Sequence, residues 1–301
     1  MGQQTSPLFL GIDGGGSKCR SIIIAADGHI LGHGQGGPAN AFQNLHQTID
    51  SVVEATRDAL TSAGLPEADR RRLVACLGLA GVNVPAVHEQ FCGWQHPFAW
   101  MQACSDLRVA CAGAHGGLDG AALVAGTGTC GFVHVGDVEQ MIGGHGFPAG
   151  DKGSGAWIGL EAVKFTLLAL DKLEAASELS NAVMRALQAD DAITIVEKLN
   201  HHRSRDYAKL APLVFEYARK NDAAALAIVR DGAHYLSQVA TQLLSYQPPR
   251  FSMLGGLADL YRPWLASEIS AQLSPVLETP EMGAARLALN NWQHTQQRMH
   301  A

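Results

Sequence analysis

Two glycine-rich turns, each placed directly after a short buried strand, constrain the fold of this chain more than any other feature. Leu8–Ile12 has the pattern of a buried strand, the turn Asp13–Lys18 follows it, and Cys19–Ala26 returns as a strand rich in β-branched residues. The chain repeats this arrangement later, with the strand Ala121–Ala125, the turn Gly126–Thr129 and a further strand. The sequence therefore predicts two copies of one strand, turn and strand unit, as an internal duplication produces.

The periodicity of apolar residues predicts the remaining elements. In the first half it indicates a βββαβαβα order, with these elements after the first hairpin: strand His29–His33, a helix from Leu45 to a stop at Gly64, strand Leu73–Ala80, a helix opening at Pro85, strand Ala99–Cys104 and a helix after Ser105. The second half predicts the returning strand Cys130–Val135, helices over 154–170, 177–199, 206–220 and 222–246, a strand at Phe251–Leu254 and a last helix starting near Gly283.

Composition narrows the class of protein. A chain of 301 residues with 47% hydrophobic content suggests about two domains. Its 28 acidic residues against 22 basic ones give a formal charge of −6, so we expect no nucleic-acid partner. The longest apolar runs are strand-sized, so we expect no membrane span.

The first residues of the chain and the spacing of its cysteines favour a cytoplasmic location. The first residues, Met1 to Pro7, have no cationic start, so we expect no secretory signal. The six cysteines form no CxxC pair, which argues against a zinc ribbon and is typical of buried thiols in a reducing compartment.

Both glycine turns invite a phosphate-binding interpretation, because closely spaced glycines let backbone N–H groups face an anion. The first turn is not a Walker loop, since its order is Gly16-Ser17-Lys18 and a strand follows. The second turn fits GxGxxG formally, but a dinucleotide fingerprint opens a helix, and here a strand follows.

Asp13 lies where the first strand ends. Its carboxylate is suited to hold a magnesium ion through water. The alternative is an ordinary turn aspartate, and the turn alone favours neither interpretation. The second glycine hairpin later in the chain shifts the balance toward nucleotide binding.

Five segments taken together resemble one family. They are Gly11–Lys18, Gly78–Gly81, Asp106, Ala125–Thr129 and Gly150–Gly159, and the match resumes at Gly255–Ala258 and Gly283–Ala285. The chain resembles the N-acetylglucosamine kinase and BadF/BadG/BcrA/BcrD ATPase family, within the superfamily of acetate and sugar kinases, heat-shock proteins and actin. The resemblance covers nearly the whole chain.

The resemblance implies an α/β fold of two ribonuclease H-like, actin-like ATPase lobes with an interlobe cleft. We expect an N-terminal lobe over 1–112, joined by a C-terminal helix over 285–301. The second lobe, 113–284, then carries a helical insertion.

The family positions also imply an ATP site with magnesium. The nucleotide-binding residues carried over are Asp13, Gly14, Gly15, Gly16, Ser17, Lys18, Gly126, Thr127, Gly128, Thr129, Gly255, Gly256 and Gly283. In the family the two glycine turns hold the phosphates, and the last three glycines flank adenosine.

The resemblance further implies an amino-sugar substrate, phosphorylated at its 6-hydroxyl. Asp106 matches the family's catalytic aspartate, which accepts the proton of the attacking hydroxyl; its alternative role is that of a helix N-cap. Sugar-binding positions carried over with it are Asn40, Gly81, Gly144, His145 and Asp151.

Two departures leave the acetylation of the sugar open. Lys152 stands where the N-acetylglucosamine kinases often have Glu, and His145 stands where they often have Trp. This segment looks closer to bacterial glucosamine kinases. A neighbouring Lys152 would disfavour a cationic amino group only if its side chain points inward.

Other interpretations stay open. One is an ATPase that activates a dehydratase or reductase, which would need clustered iron–sulfur cysteines that this sequence lacks. Another is a nucleotide or sugar sensor without turnover. Similar kinases are often homodimers, and we expect one here. We interpret His201-His202 as a solvated loop, and Trp94 and Trp100 as packing residues.

Overall fold

A computed structural model describes residues 6–300, the last three by their backbone alone. The strands are β1 Leu8–Gly14, β2 Cys19–Ile24, β3 Ile30–Gly36, β4 Leu73–Leu79, β5 Trp100–Ser105, β6 Gly120–Ala125, β7 Thr129–Val135, β8 Val138–Gly143 and β9 Phe251–Leu254. The α-helices are α1 Leu45–Ser62, α2 Pro85–Cys92, α3 Asp106–Ala114, α4 Gly155–Leu170, α5 Glu178–Leu187, α6 Ala192–Leu199, α7 Ser204–Ala208, α8 Ala211–Arg219, α9 Ala223–Leu244, α10 Ala258–Tyr261, α11 Ser267–Ser270 and α12 Pro280–His300. Residues 1–5, which carry most of the expectation of no secretory signal, and residue 301 lie outside the described residues.

The chain divides into two compact units. Unit 1 comprises Met1–Gly120 and Pro275–Ala301, and unit 2 comprises Ala121–Ser274. These limits differ from the expected lobes, which divided after residue 112 and before residue 285. The reason is that α3 continues to Ala114 and α12 starts at Pro280, so both connections to unit 2 lie beyond the packed ends of these helices.

Unit 1 is built on a five-stranded sheet in the order β3-β2-β1-β4-β5. β1 pairs antiparallel with β2 and parallel with β4, and β4 is parallel to β5. Helix α1 covers one face closely, because β3 presents glycine there: a Cβ on Gly34 would lie 2.1 Å from the carbonyl oxygen of Ala55. Helices α3 and α12 cover the opposite face, where Phe9, Val74 and Ala285 are buried together.

Unit 2 repeats the beginning of unit 1. Its sheet has the order β8-β7-β6-β9, with β9 parallel to β6 and β8 antiparallel to β7. Strands β6, β7, β8 and β9 thus take the places that β1, β2, β3 and β4 take in unit 1, which confirms the predicted duplication. The helices α4, α5, α8 and α9 supply most of the remaining core.

Two helices predicted for unit 2 are each divided in the structure. The predicted helix over 177–199 is two helices, α5 and α6, because Gln188 adopts a left-handed backbone (φ 52°) and Asp191 caps a new helix. The predicted helix over 206–220 is likewise divided into α7 and α8. Strand β8, at the edge of the sheet, was not predicted.

The predicted order βββαβαβα of unit 1 is confirmed, and Phe251–Leu254 is a strand as predicted. The last helix starts three residues before the expected Gly283. Within residues 6–300, no helix combines the length and apolar character that crossing a bilayer requires.

Candidate active site

Three strands of unit 1 bring the predicted acidic residues to one edge of its sheet. Asp13, near the end of β1, is paired with Gly78 of the parallel strand β4. Strand β5 is parallel to β4 and ends at Ser105, directly before Asp106. Because the carboxyl ends of parallel strands share an edge, Asp13 and Asp106 lie close enough to interact electrostatically.

The first glycine turn is tightly packed at Gly14 and open at the two glycines that follow. A Cβ on Gly14 would lie 2.6 Å from a methyl carbon of Leu79, so the turn fits tightly against β4. A Cβ added to Gly15 or Gly16 would meet no atom within 4 Å. A hydrogen bond from the N–H of Gly15 to the carbonyl oxygen of Lys18 (3.0 Å) closes the turn around Gly16 and Ser17. The arrangement leaves an exposed stretch of backbone beside Asp13.

Asp106 is the first residue of α3, and it is not the N-cap. Ser105 takes that role, with its hydroxyl oxygen accepting a hydrogen bond from the N–H of Arg108 (3.2 Å). A carboxylate oxygen of Asp106 accepts a hydrogen bond from the N–H of Leu107 (3.0 Å). The N-cap of α3 is therefore Ser105 and not Asp106, whose carboxylate accepts the first-turn N–H of Leu107.

Burial raises the pKa of both carboxyl groups. The pKa of Asp13 rises from 3.8 to about 6, first through burial and then through the negative charges of Asp106 and Glu281, against the opposing effects of Arg20 and Lys18. Burial also raises the pKa of Asp106, while the hydrogen bond from Leu107 opposes the shift. Neighbouring carboxyl groups whose pKa values are raised by burial and by each other's charge are typical of a functional site.

Glu281 belongs to this acidic region, and sequence reasoning missed it. It lies in the first turn of α12, where its backbone oxygen packs against Gly11 of β1, and its side chain is 8% exposed. Its Oε2 is buried and has no hydrogen-bond partner within the described part of the chain. In the sequence it reads as an ordinary acidic residue at a helix start, so no pattern distinguishes it.

Asn40 and Gly81 are also brought to this edge. Asn40 forms a parallel bridge with Ala80, directly after β4. Its side-chain oxygen accepts a hydrogen bond from the N–H of Gln43 (3.1 Å) and lies 2.8 Å from the position of a Cβ on Gly81. Gly81 has a φ of 77°, which favours glycine. The neighbouring Phe42 is 66% exposed, an aromatic surface that sequence reasoning did not single out.

In unit 2, the second glycine turn is tied to the start of α4. The N–H groups of Gly155 and Ala156 donate to the carbonyl oxygens of Gly126 (2.8 Å) and Thr127 (3.2 Å). A Cβ added to Gly126 would meet no atom within 4 Å. The hydroxyl oxygen of Thr129 is buried, without a hydrogen-bond partner in the described residues. The turn is thus fixed by a helix N-terminus and keeps an open side at Gly126.

Asp151 connects this turn to the predicted sugar-binding loop. One carboxylate oxygen accepts a hydrogen bond from the N–H of Gly146 (3.1 Å), and the other lies 2.8 Å from the position of a Cβ on Gly128. Burial raises the pKa of Asp151, while Gly146, His145 and the N–H of Thr129 oppose the shift. Its φ of 59° is a left-handed conformation, which Asp tolerates better than most residues. Such conformations are concentrated at functional sites.

Gly144 and His145 lie in the same loop as Asp151. The N–H of Gly144 donates to the carbonyl oxygen of Thr129 (3.1 Å). His145 is exposed, and its Cβ lies 2.8 Å from the position of a Cβ on Gly150. Unit 2 therefore brings the predicted phosphate turn and these sugar-binding positions together.

The carbonyl oxygen of Ala125, at the end of β6, links the two predicted nucleotide segments of unit 2. It accepts a hydrogen bond from the N–H of Leu257 (3.0 Å) and lies 2.3 Å from the position of a Cβ on Gly255, which has a φ of 96°. A Cβ added to Gly256 would meet no atom within 4 Å. Gly255 and Gly256 therefore lie beside the Gly126–Thr129 turn.

Gly283 has a different place. It lies in α12 of unit 1, where a Cβ would be 2.2 Å from the backbone nitrogen of Gly113 in α3. This position permits the close crossing of the two helices. A nucleotide contact at Gly283 stays a prediction.

The side chain of Lys152 points to α9. Its ammonium lies 2.8 Å from a carboxylate oxygen of Asp231 and 5.7 Å from the ring centroid of Trp157. Both charged side chains are about half exposed. Lys152 would oppose a cationic substrate only if its side chain pointed inward. The side chain is instead paired with Asp231.

The two tryptophans singled out in the sequence are packing residues. Trp94 packs on Phe91 and Phe98, with ring centroids 5.7 Å and 5.9 Å away, and Trp100 packs against a buried cluster under α12. The ring of His202 lies 6.1 Å from that of Tyr207, and His201 is exposed.

The six cysteines are all free thiols, five of them buried or half-buried. Cys92 is the exception to the expected burial, since it is exposed on α2. Within the described residues, no group of three or more His, Cys, Asp or Glu side chains is placed to hold a metal ion directly.

Comparison with known proteins defines the class. Residues 10–282 match the model of the BadF/BadG/BcrA/BcrD ATPase family, and the chain belongs to this family. Membership of an ATPase family implies the use of ATP. Among curated relatives, the glucosamine kinase GspK of Vibrio cholerae is 32% identical over 87% of this chain and 88% of its own. The N-acetyl-D-glucosamine kinase of Dictyostelium discoideum is 25% identical over 94% and 98% of the two chains.

Solved structures agree on the fold. A protein of Chromobacterium violaceum, provisionally named an N-acetylglucosamine kinase, superposes with a TM-score of 0.86 at 30% identity, over 94% of this chain and 99% of its own. A Porphyromonas gingivalis protein with the same provisional name superposes with a TM-score of 0.63 at 21% identity, covering 95% and 99%. The expected α/β class with two ribonuclease H-like, actin-like units is confirmed.

Proposed function

We propose that this protein is an ATP-dependent kinase that phosphorylates the 6-hydroxyl of glucosamine or N-acetylglucosamine. The observation that carries the proposal is the placement of Asp106 beside Asp13 at one sheet edge, with Ser105 doing the capping. The family of ATPases and the 32% identity to a glucosamine kinase support the same reaction.

Asp106 is proposed as the general base. Phosphoryl transfer depends mostly on positioning and charge neutralisation, so one carboxylate that accepts the hydroxyl proton is sufficient. Its raised pKa, caused by burial, makes it a better proton acceptor than an exposed aspartate. No covalent intermediate is needed.

Asp13 is proposed to hold Mg²⁺ through water, beside the phosphate turn Gly14–Lys18. The fit is supported by the negative charges of Asp106 and Glu281 around it and by the buried, unpartnered oxygen of Glu281. Magnesium usually keeps several waters, which agrees with one nearby carboxylate that binds it through water in place of a protein cage. When bound, the ion neutralises charge on the transferred phosphate.

We assign the second phosphate turn, Gly126–Thr129, to the β- and γ-phosphates of ATP. The open side of Gly126 and the N-terminus of α4 behind the turn support this role, since a helix N-terminus favours anions. Gly255 and Gly256 are assigned to adenosine because they lie beside this turn. Sugar contacts are assigned to Gly144, His145 and Asp151 in unit 2 and to Asn40 and Gly81 in unit 1.

Two finer expectations belong to the proposal. A homodimer is proposed by analogy with similar kinases, and sedimentation velocity would reveal twice the mass of 31.9 kDa. A cytoplasmic location is proposed because the six cysteines are free thiols and ATP is available there.

The two rival functions make different predictions. A dehydratase or reductase activator needs cysteines that hold an iron–sulfur cluster, whereas the described cysteines do not converge on such a site. A sensor would bind sugar and nucleotide without product. The experiment is an assay of ADP release with glucosamine, N-acetylglucosamine and glucose side by side. We expect turnover with an amino sugar, and sugar-independent hydrolysis would favour the activator.

A further inference from the structure

Helix α9 holds the loop that carries Asp151 at three points within one helical turn. The hydroxyl oxygen of Tyr235 lies 3.0 Å from the position of a Cβ on Gly143, at the start of the loop. Asp231 pairs with Lys152 at 2.8 Å. The carbonyl oxygen of Gly232 lies 3.2 Å from the position of a Cβ on Gly153, at the end of the loop.

The ion pair with Asp231 fixes the position of the Lys152 ammonium. Lys152 follows Asp151 directly, so its ammonium has two carboxylates as possible partners, Asp151 and Asp231. It is held by Asp231 and by the face of Trp157 (5.7 Å), and cations are attracted to such a ring. The carboxylate of Asp151 is instead occupied by the N–H groups of Gly146 and Thr129.

This division of partners has a chemical consequence for the substrate. An aliphatic amine on a sugar ring is protonated for the larger part at pH 7, as an α-amino group is. An acetylated amine is neutral. A carboxylate whose charge is not cancelled by a neighbouring ammonium attracts the first and gains nothing from the second. The Lys152 ammonium is not among the groups that shift the pKa of Asp151, which are burial, the N–H groups of Gly146 and Thr129, and His145.

We propose that Asp231 is a positioning residue that keeps the Lys152 ammonium away from Asp151 and so makes the site select the sugar with a free, cationic 2-amino group over the neutral N-acetylated sugar. The inference rests on the proposed function, in which Asp151 lies at the sugar. It assigns a role to a residue of α9, outside the glycine loops.

The test compares the two sugars at pH 7 in three variants: Asp231→Asn, Lys152→Met and the double variant. In Asp231→Asn the released ammonium can reach Asp151, so kcat/KM for glucosamine should fall about three- to tenfold relative to that for N-acetylglucosamine. In Lys152→Met the preference for glucosamine should be kept or increased. The double variant should regain the preference, because no ammonium remains to be misplaced.

The control is Glu216→Gln. Lys220 lies 2.6 Å from Glu216 and 4.7 Å from the ring centroid of Tyr217, so this exposed ion pair in the same unit copies the arrangement of Lys152, Asp231 and Trp157. It should leave the ratio of the two sugars unchanged. Calorimetric binding of each sugar without ATP gives a second readout that does not need turnover.

Three results would overturn the inference: an unmodified protein that prefers the N-acetylated sugar, an Asp231→Asn variant with an unchanged ratio, or an equal loss for both sugars, which indicates a role in loop structure only. The proposed function fails separately, if neither sugar is phosphorylated by the unmodified protein. Thermal unfolding of each variant identifies a folding defect; if Asp231→Asn has one, Lys152→Met decides, because a lost preference for glucosamine in that variant would contradict the inference.

Discussion

The carboxylate of Asp151 lies 2.8 Å from the position that a Cβ on Gly128 would take, so the phosphate turn and the sugar loop of unit 2 touch at this glycine. An added methyl group must displace one of them. We expect Gly128→Ala to lower kcat/KM about 100-fold, because a displacement of about 1 Å in a positioned site has effects of this size. Steady-state kinetics with both substrates varied would measure it.

Gly126 of the same turn provides the contrast. A Cβ there meets no atom within 4 Å, so Gly126→Ala should leave the free energy of unfolding unchanged. If the open space takes phosphates, the variant should nevertheless bind ATP at least about tenfold more weakly, through lost contact with the backbone. Gly93→Ala on the surface at the end of α2 is the control for both measurements. Unchanged ATP binding in Gly126→Ala would remove this turn from the nucleotide site.

Local signals explain why the two turns and the acidic edge were predictable. Asp13 lies near the end of β1 and Asp106 directly follows β5, and parallel strands bring their carboxyl ends together. The ion pair between Lys152 and Asp231 was not predictable, because it joins a loop to a helix 79 positions away and depends on how α9 packs. Glu281 was missed for the same reason, since only the packing of α12 on Gly11 brings it near Asp13.

Asp106→Asn tests the proposed base. General base catalysis contributes about 10²–10⁴-fold, so we expect kcat to fall by that factor. The amide keeps the size of the side chain, so the affinities for ATP and sugar should remain within about threefold of the original. Asp50→Asn, on the exposed surface of α1, is the matched control. Full kcat in Asp106→Asn would contradict the assignment.

Asp13→Asn tests the electrostatic environment of the first turn. The pKa of Asp13 is raised to about 6, so the folded protein binds this proton more tightly than the unfolded chain does. Stability is therefore lost as pH rises from about 4 through 6, and a neutral amide avoids this loss. We expect Asp13→Asn to raise the free energy of unfolding at pH 7.5 by about 3 kcal/mol and to lose ATP turnover.

Urea unfolding at several pH values would measure this effect. The gain should vanish below about pH 4, where the aspartate is protonated in both states. Asp137→Asn, in an exposed turn of unit 2, should give no comparable gain. A stabilisation that is independent of pH would show that charge at Asp13 is not its cause.

Glu281→Gln tests the coupling within the acidic edge. The negative charge of Glu281 contributes to the raised pKa of Asp13, so its removal should lower that pKa. The stabilising effect of Asp13→Asn at pH 7.5 should then be smaller in a Glu281→Gln background than in the original protein. A double-mutant cycle with Glu89→Gln, on the exposed surface of α2, as the control background measures the difference. Equal effects in both backgrounds would mean that the two carboxyl groups do not interact.

Identification of the product tests the central claim most directly. The protein is incubated with ATP, Mg²⁺ and glucosamine or N-acetylglucosamine, and the product is analysed by phosphorus and proton NMR. We predict a 6-phosphate of one amino sugar, formed in equal amount to ADP and reduced at least about 100-fold in Asp106→Asn. ADP formed at the same rate without sugar, or a phosphate found on neither sugar, would contradict the account.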